Sequence, residues 1–362
     1  PSLDQMNGPL SIIADELHVL AQEGVFVTRT SRFPFGRKVR VLLLHTTGDQ
    51  PAIRQLCGFS AATSTNFCPY CKLKYQERNN IDYKSWTPRL WSKEKRYSTA
   101  YREAKTEKKR TELVDSYGLR WSPLHALRHY NPMRMALPDA SHMMACIFRH
   151  HIRGIYGMST RIQDDLRLGE DEDEASFTPL QELSEAWLVL RRGNSATLDR
   201  LSPTAAPDLA ALIHTMQKPS WLPKPTSKPG DPSEGSLKSS SLRRLAEIWL
   251  PVSLIREWGP YPKGSRERRM LQNYMHLISA SVLLHKRRTR QSIIRRYHHE
   301  AHRYLETRAE LFPTFSVTPY EHIMLHFSWF LERYGPMQSW QQLLMEQRNG
   351  DLQKIPTNFK FG

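Results

Sequence analysis

Cysteine is scarce: the 362 residues hold only 4, at Cys57, Cys68, Cys71 and Cys146. That is too few for a disulfide scaffold and points to a reducing compartment. Acidic residues are also in deficit, 36 Asp and Glu against 52 Lys and Arg, which leaves a formal charge of +16. No apolar run approaches the roughly 20 residues that a membrane span needs. The longest, near Val39–Leu44 and Ala280–Leu284, read as core elements. No secretory signal opens the chain, which starts Pro1-Ser2, and no internal repeat is visible.

What is present is a globular composition. Hydrophobic residues make up 39% and aromatics 10%, enough to bury a core and to exclude a wholly disordered chain. The excess of positive charge speaks to partners, not to fold, and nucleic acid is the commonest polyanion.

Apolar spacing predicts an amphipathic helix over 9–22, followed by Gly24, a short Val25-Phe26-Val27 and a turn near Pro34–Gly36. Residues 38–46 read as one buried strand that ends at Gly48-Asp49. Residues 51–80 are loop-like. Residues 92–117 read as a charged, solvated helix, and Met143–Ile155 as another helix. An acidic stretch at 164–174 reads as an exposed loop, with helices following at 178–192 and 205–217. Residues 219–241, rich in Pro, Ser, Lys and Gly, read as a linker. A helical block follows over 242–258, 265–311 and 319–334, and a last helix over 337–348.

Four features could carry chemistry. Asp49 stands just past an apolar strand, where α/β sheets place functional groups, although a turn Asp that caps the next helix is the plainer role. Cys68-Pro69-Tyr70-Cys71 is a Cys-x-x-Cys, a spacing that lets two thiolates grip one Zn²⁺. It is half a site. The missing ligands are sought in His142, or in His322 and His326 at i and i+4 of one helix. Glu346 lies on an apolar-striped helical segment and by itself reads as an ordinary surface acid. Lys286, Arg287, Arg288, Arg295 and Arg296 form a basic run suited to phosphates, or to a solvated helix face.

In order and spacing, three blocks resemble the CACTA-type transposases in their fungal form. The first, 37–72, carries a strand, Gly48-Asp49-Gln50-Pro51-Ala52, Gly58-Phe59 and the Cys-x-x-Cys. The second, 119–151, carries Trp121-Ser122-Pro123-Leu124, then Asp139 and His142 as Asp-x-x-His, and a helix ending in histidine. The third, 322–358, carries His322 and His326, Gly335-Pro336, Trp340, and Glu346 with Asn349-Gly350. A weaker match covers 237–259.

The resemblance implies an α/β fold with a predominantly α-helical insertion: a split ribonuclease-H-like core with a DDE-type active site, incomplete at its N-terminus. Residues 1–60 would belong to that core, 61–336 to the helical insertion, and 337–362 to a C-terminal core helix. Asp49 matches the second acid and Glu346 the third, with the first expected upstream of Pro1. Cys68, Cys71 and His142 match the family's inserted metal-binding motif. The implied chemistry is phosphodiester hydrolysis and strand transfer by two Mg²⁺ or Mn²⁺ ions, with a structural Zn²⁺. Transposon ends and target DNA would be the partners, in the nucleus, with no membrane involved and a homo-oligomer allowed. The alternatives are a transposase-derived DNA-binding or interaction protein that has lost catalysis, and an unrelated zinc-stabilised helical protein.

Overall fold

A computed structural model describes residues 3–156, 205–220, 222–223, 239–342, 348, 350–351 and 354–355. The acidic stretch 164–174, the helix expected at 178–192, most of the linker 219–241 and Glu346 lie outside the described residues. The described chain is mostly helical with a few short strands, and it divides into two compact units.

The first unit comprises 1–77, 84–139 and 342–362. It opens with helix α1 (Leu3–Gln22) and a hairpin in which β1 (Val25–Val27) pairs antiparallel with β2 (Arg37–Val39). Strand β3 (Thr46–Gly48) lies parallel to β4 (Ala136–Pro138), Gly48 opposite Pro138. Among the described residues these pairs are the sheets, and no ribonuclease-H-like sheet is formed.

The single buried strand expected over 38–46 is therefore replaced by two short ones. After Val39 the Val41 N–H donates to the Leu20 carbonyl at the end of α1, at 3.2 Å, and leaves the ladder. Val41, Leu42 and Leu44 are consequently exposed at 40%, 60% and 68%. The chain re-enters a sheet at Thr46, whose hydroxyl meets the Tyr130 hydroxyl at 2.8 Å inside the core.

Helix α2 (Gln50–Cys57) follows β3 at once. Asp49 caps it, Pro51 sits in its first turn, and Gly58 closes it in the left-handed region at φ 74°. Its inward face, Ile53 and Cys57, packs with Phe59, Leu119, Leu124, Leu127, Tyr130 and Met133, and Leu10 and Leu17 of α1 lean on this core. The charged segment expected as one solvated helix is two: α3 (Trp91–Glu103) and α4 (Glu107–Tyr117), the second capped by Thr106. Glu94, Ser98 and Tyr101 turn inward from α3, so the segment is not solvated all round. A short α5 (Pro132–Met135) leads into β4.

The second unit comprises 78–83 and 140–341. Helix α6 (Ala140–Arg149) runs on into a π-helical stretch, His150–Ile155. Then come α7 (Ala205–Thr215), α8 (Ser239–Arg244) with a π-helical continuation, α9 (Leu250–Trp258), α10 (Arg266–Leu284) and α11 (Gln291–Leu311). The last two pack antiparallel: Arg269 pairs with Glu310, Asn273 donates to Tyr304, and His276 pairs with Glu300. Fully buried aromatics, among them Tyr156, Tyr274, Tyr304 and Phe312, fill the space around them.

Residues 319–334, expected as one helix, break into α12 (Pro319–Met324) and α13 (Phe327–Tyr334). At the break, Leu325 and His326 donate three residues back, to the carbonyls of His322 and Ile323. That tightening ends the α-helical ladder. Beyond it Met337–Ser339 form a 3₁₀ turn, so the helix expected to start at 337 does not.

Candidate metal centre

The cysteine pair sits in a tight turn held from one side. Lys72 N–H donates to the Thr87 carbonyl at 2.8 Å, and Arg89 N–H to the Tyr70 carbonyl at 2.9 Å. Those bonds clamp 70–72 against 87–89 and bury Cys68 and Cys71. The N–H groups of Tyr70 and Cys71 both donate to the Cys68 sulfur, each at 3.4 Å. Donors of this kind favour a thiolate.

The second thiol is opposed to ionising. A hydrogen bond to Cys68 sulfur, then burial, then the like charge of Cys68 push Cys71 far above the ordinary thiol range. A reactive redox pair needs a depressed pKa, and Cys71 is shifted the other way. Two thiolates at this spacing call for a cation.

The histidine pair comes from the corner between α12 and α13. Thr318 caps α12 and Glu321 answers it in a capping box, with Pro319 in the first turn. His322 then lies on the inner face, 1% exposed. His326 stands in the break, and its Nε2 lies 3.2 Å from that of His322. Tetrahedral zinc with Zn–N bonds of about 2.0–2.1 Å sets two imidazole nitrogens about 3.3–3.4 Å apart. The observed separation fits that edge.

The ligand atoms of Cys68, Cys71, His322 and His326 all lie within 4.8 Å of one another, and three of these residues are buried. This Cys₂His₂ group could bind a zinc-like metal; tetrahedral zinc requires S···N edges of about 3.6 Å and an S···S edge of about 3.8 Å. His142, the first choice from sequence, is on α6 and is not in the group. The i, i+4 histidines weighed beside it take its place.

Asp49 accepts a hydrogen bond from Ala52 N–H at 2.8 Å through one carboxylate oxygen, so the capping role is filled. In the adjacent parallel strand, Asp139 follows β4 in the same register and donates its N–H to the Gly48 carbonyl at 2.7 Å. Gln342 Nε2 donates to the Thr47 carbonyl at 2.8 Å, two residues before Asp49. Lys286, Arg287, Arg288, Arg295 and Arg296 are all exposed, at the turn after α10 and on the first turns of α11. No family model and no curated protein sequence matches the chain.

Proposed function

We propose that the chain is part of the catalytic region of a CACTA-type cut-and-paste DNA transposase, with a structural zinc held by Cys68, Cys71, His322 and His326. One observation carries this reading: the metal group unites the Cys-x-x-Cys of the first resembling block with the His-x-x-x-His of the third.

Further observations support it. Asp49 and Asp139 stand side by side at the ends of parallel strands, the kind of edge on which carboxylates can hold Mg²⁺. The contact from Gln342 to Thr47 places Gln342, four residues before Glu346 in sequence, beside the Asp49 turn. Helix α11 opens with no side-chain cap and no acid in its first turn, beside the exposed basic run. Its positive end suits phosphates. In this reading Asp49 and Glu346 bind the catalytic ions and a further carboxylate completes the set. The ribonuclease-H-like core belongs to this proposal.

The second reading, a transposase-derived DNA-binding protein without catalysis, is favoured by one fact: Asp49 already spends an oxygen on its helix cap. The deciding experiment is a nicking assay with Mg²⁺ or Mn²⁺ on a chain extended upstream of Pro1, with Asp49→Ala as control. Metal-dependent cleavage lost in the control is expected; DNA binding without any cleavage establishes the second reading.

A further inference from the structure

Glu321 and Arg308 are both 0% exposed, and they form an ion pair at 3.2 Å. A buried carboxylate is stabilised when its lone pairs are met by donors. Here they are met completely, whereas Arg308 adds only a 3.4 Å bond from Nη1 to the Ser316 carbonyl, its Nε and Nη2 having no hydrogen-bond partner among the described residues. Thr318 donates its N–H and its hydroxyl to Oε2, at 2.8 and 3.0 Å. Tyr304 and Arg308 reach Oε1, at 3.1 and 3.2 Å.

The direction of the next bond follows from chemistry. An ionised carboxylate only accepts, so the Tyr304 hydroxyl is the donor to Glu321. Its lone pair is then left for His151 Nδ1–H, which lies 3.0 Å away. The result is a chain of fixed polarity, His151 to Tyr304 to Glu321, with Arg308 as the counter-charge.

This network is anchored in α11 and ends on α12. Tyr304 and Arg308 belong to α11, while Glu321 is the residue before His322. The other end of α12 is tied to the same helix, because the Tyr297 hydroxyl donates to the Met324 carbonyl at 2.8 Å. Helix α12 has only six residues. Too short to stand by itself, it takes its position from these attachments.

We propose that Arg308, acting through Glu321, is a positioning residue of the metal centre: it holds α12 on α11 so that His322 Nε2 stays at ligand distance from His326. The proposal rests on the reading of the Cys₂His₂ group as a metal site. Outer-shell partners of metal ligands change affinity by about 10–100-fold when removed, and that is the effect expected here.

The test is cobalt(II) titration of the whole chain, followed by d–d absorption, with zinc affinity measured by chelator competition. Arg308→Met alone would strand the Glu321 charge, so the variant to use is Arg308→Met with Glu321→Gln. Tyr274→Phe, which removes a buried hydroxyl bound to the Ala246 carbonyl, controls for general loosening of the same unit. The double variant should bind about 10–100-fold more weakly, with an altered cobalt spectrum, while Tyr274→Phe keeps both affinity and spectrum. Unchanged affinity and spectrum in the double variant, or an equal loss in Tyr274→Phe, overturns the positioning role. If the double variant does not fold, Tyr304→Phe is judged by the same criterion. Absence of stoichiometric binding by the unaltered chain is a different result and refutes the metal reading itself.

Discussion

His322 and His326 hold their Nε2 atoms 3.2 Å apart across a break between two short helices. An unbroken helix would also place i and i+4 on one face. The break fixes the pair more tightly, because Leu325 and His326 are drawn into i, i+3 bonds.

The histidines should therefore separate in their effect on metal. His322→Ala removes a first ligand and should cost more than the about 10–100-fold typical of an outer-shell partner. His142→Ala should leave zinc affinity unchanged. Because Cys68 and Cys71 must lose protons on binding, affinity should rise with pH in the unaltered chain. Isothermal titration with zinc at several pH values checks all three. A large loss in His142→Ala with none in His322→Ala would reassign the ligands.

Asp49 has two candidate roles, and two substitutions divide them. As the cap of α2 it should stabilise the chain by about 1 kcal/mol, lost in Asp49→Ala and largely kept in Asp49→Asn. As a metal-binding carboxylate it should be disabled by both, since the amide lacks the charge. Melting temperatures of the two variants, read beside nicking by the upstream-extended chain, give the answer. Equal activity of Asp49→Asn and the unaltered chain would leave Asp49 a cap alone.

Much of this was legible in the residues, and the rest was not for identifiable reasons. The Cys-x-x-Cys and the i, i+4 histidines declare themselves by spacing. Choosing between them and His142 required the path of the chain, which spacing does not carry. The apolar run 38–46 looked like a buried strand because composition registers hydrophobicity and not the hydrogen bond that takes Val41 to Leu20. Asp139 gained its interest only when β4 was seen to run parallel to β3. Arg308 and Glu321 gave no signal at all: buried pairing between charges on different helices leaves no periodicity.

Acid should destabilise the first unit through His125. This imidazole is completely buried, and all its ring capacity is used in the neutral form. Nε2–H donates to the Cys57 carbonyl at 3.0 Å, and Nδ1 accepts from Ser98 at 2.7 Å and from Ser122 N–H at 3.3 Å. Burial lowers its pKa from 6.5 to about 3. The folded state thus binds fewer protons than the unfolded one. Its stability contribution is complete above about pH 6.5 and is lost as pH falls toward 3, at up to about 1.4 kcal/mol per pH unit. His125→Gln should flatten that dependence in thermal melts between pH 7 and 4; an unchanged slope would place the acid sensitivity elsewhere.

The final prediction is that this chain binds DNA without sequence preference and does not cleave it. Binding follows from the charge of +16 and from the exposed Lys286, Arg287, Arg288, Arg295 and Arg296 around the uncapped start of α11. These positions are not equal. Arg296 also pairs with Glu300 at 2.9 Å, so its charge is partly neutralised and its loss should matter least. Each phosphate contact should add about −0.9 to the slope of log affinity against log salt. A Lys286→Ala, Arg287→Ala, Arg288→Ala variant should lower that slope by about 2–3 and weaken all sequences alike. Cleavage should fail because, in the proposed assignment, Asp49 and Glu346 alone hold two Mg²⁺ ions poorly against their hydration. Fluorescence anisotropy with duplexes of differing sequence, from 50 to 200 mM salt, reads the binding, and a supercoiled-plasmid nicking assay reads the chemistry. Binding that ignores salt would remove the polyanion from the proposed function. Nicking by this chain that depended on Asp49 would mean that the remaining carboxylate lies within it, and Asp139, beside Asp49 at the sheet edge, would be the first residue to substitute.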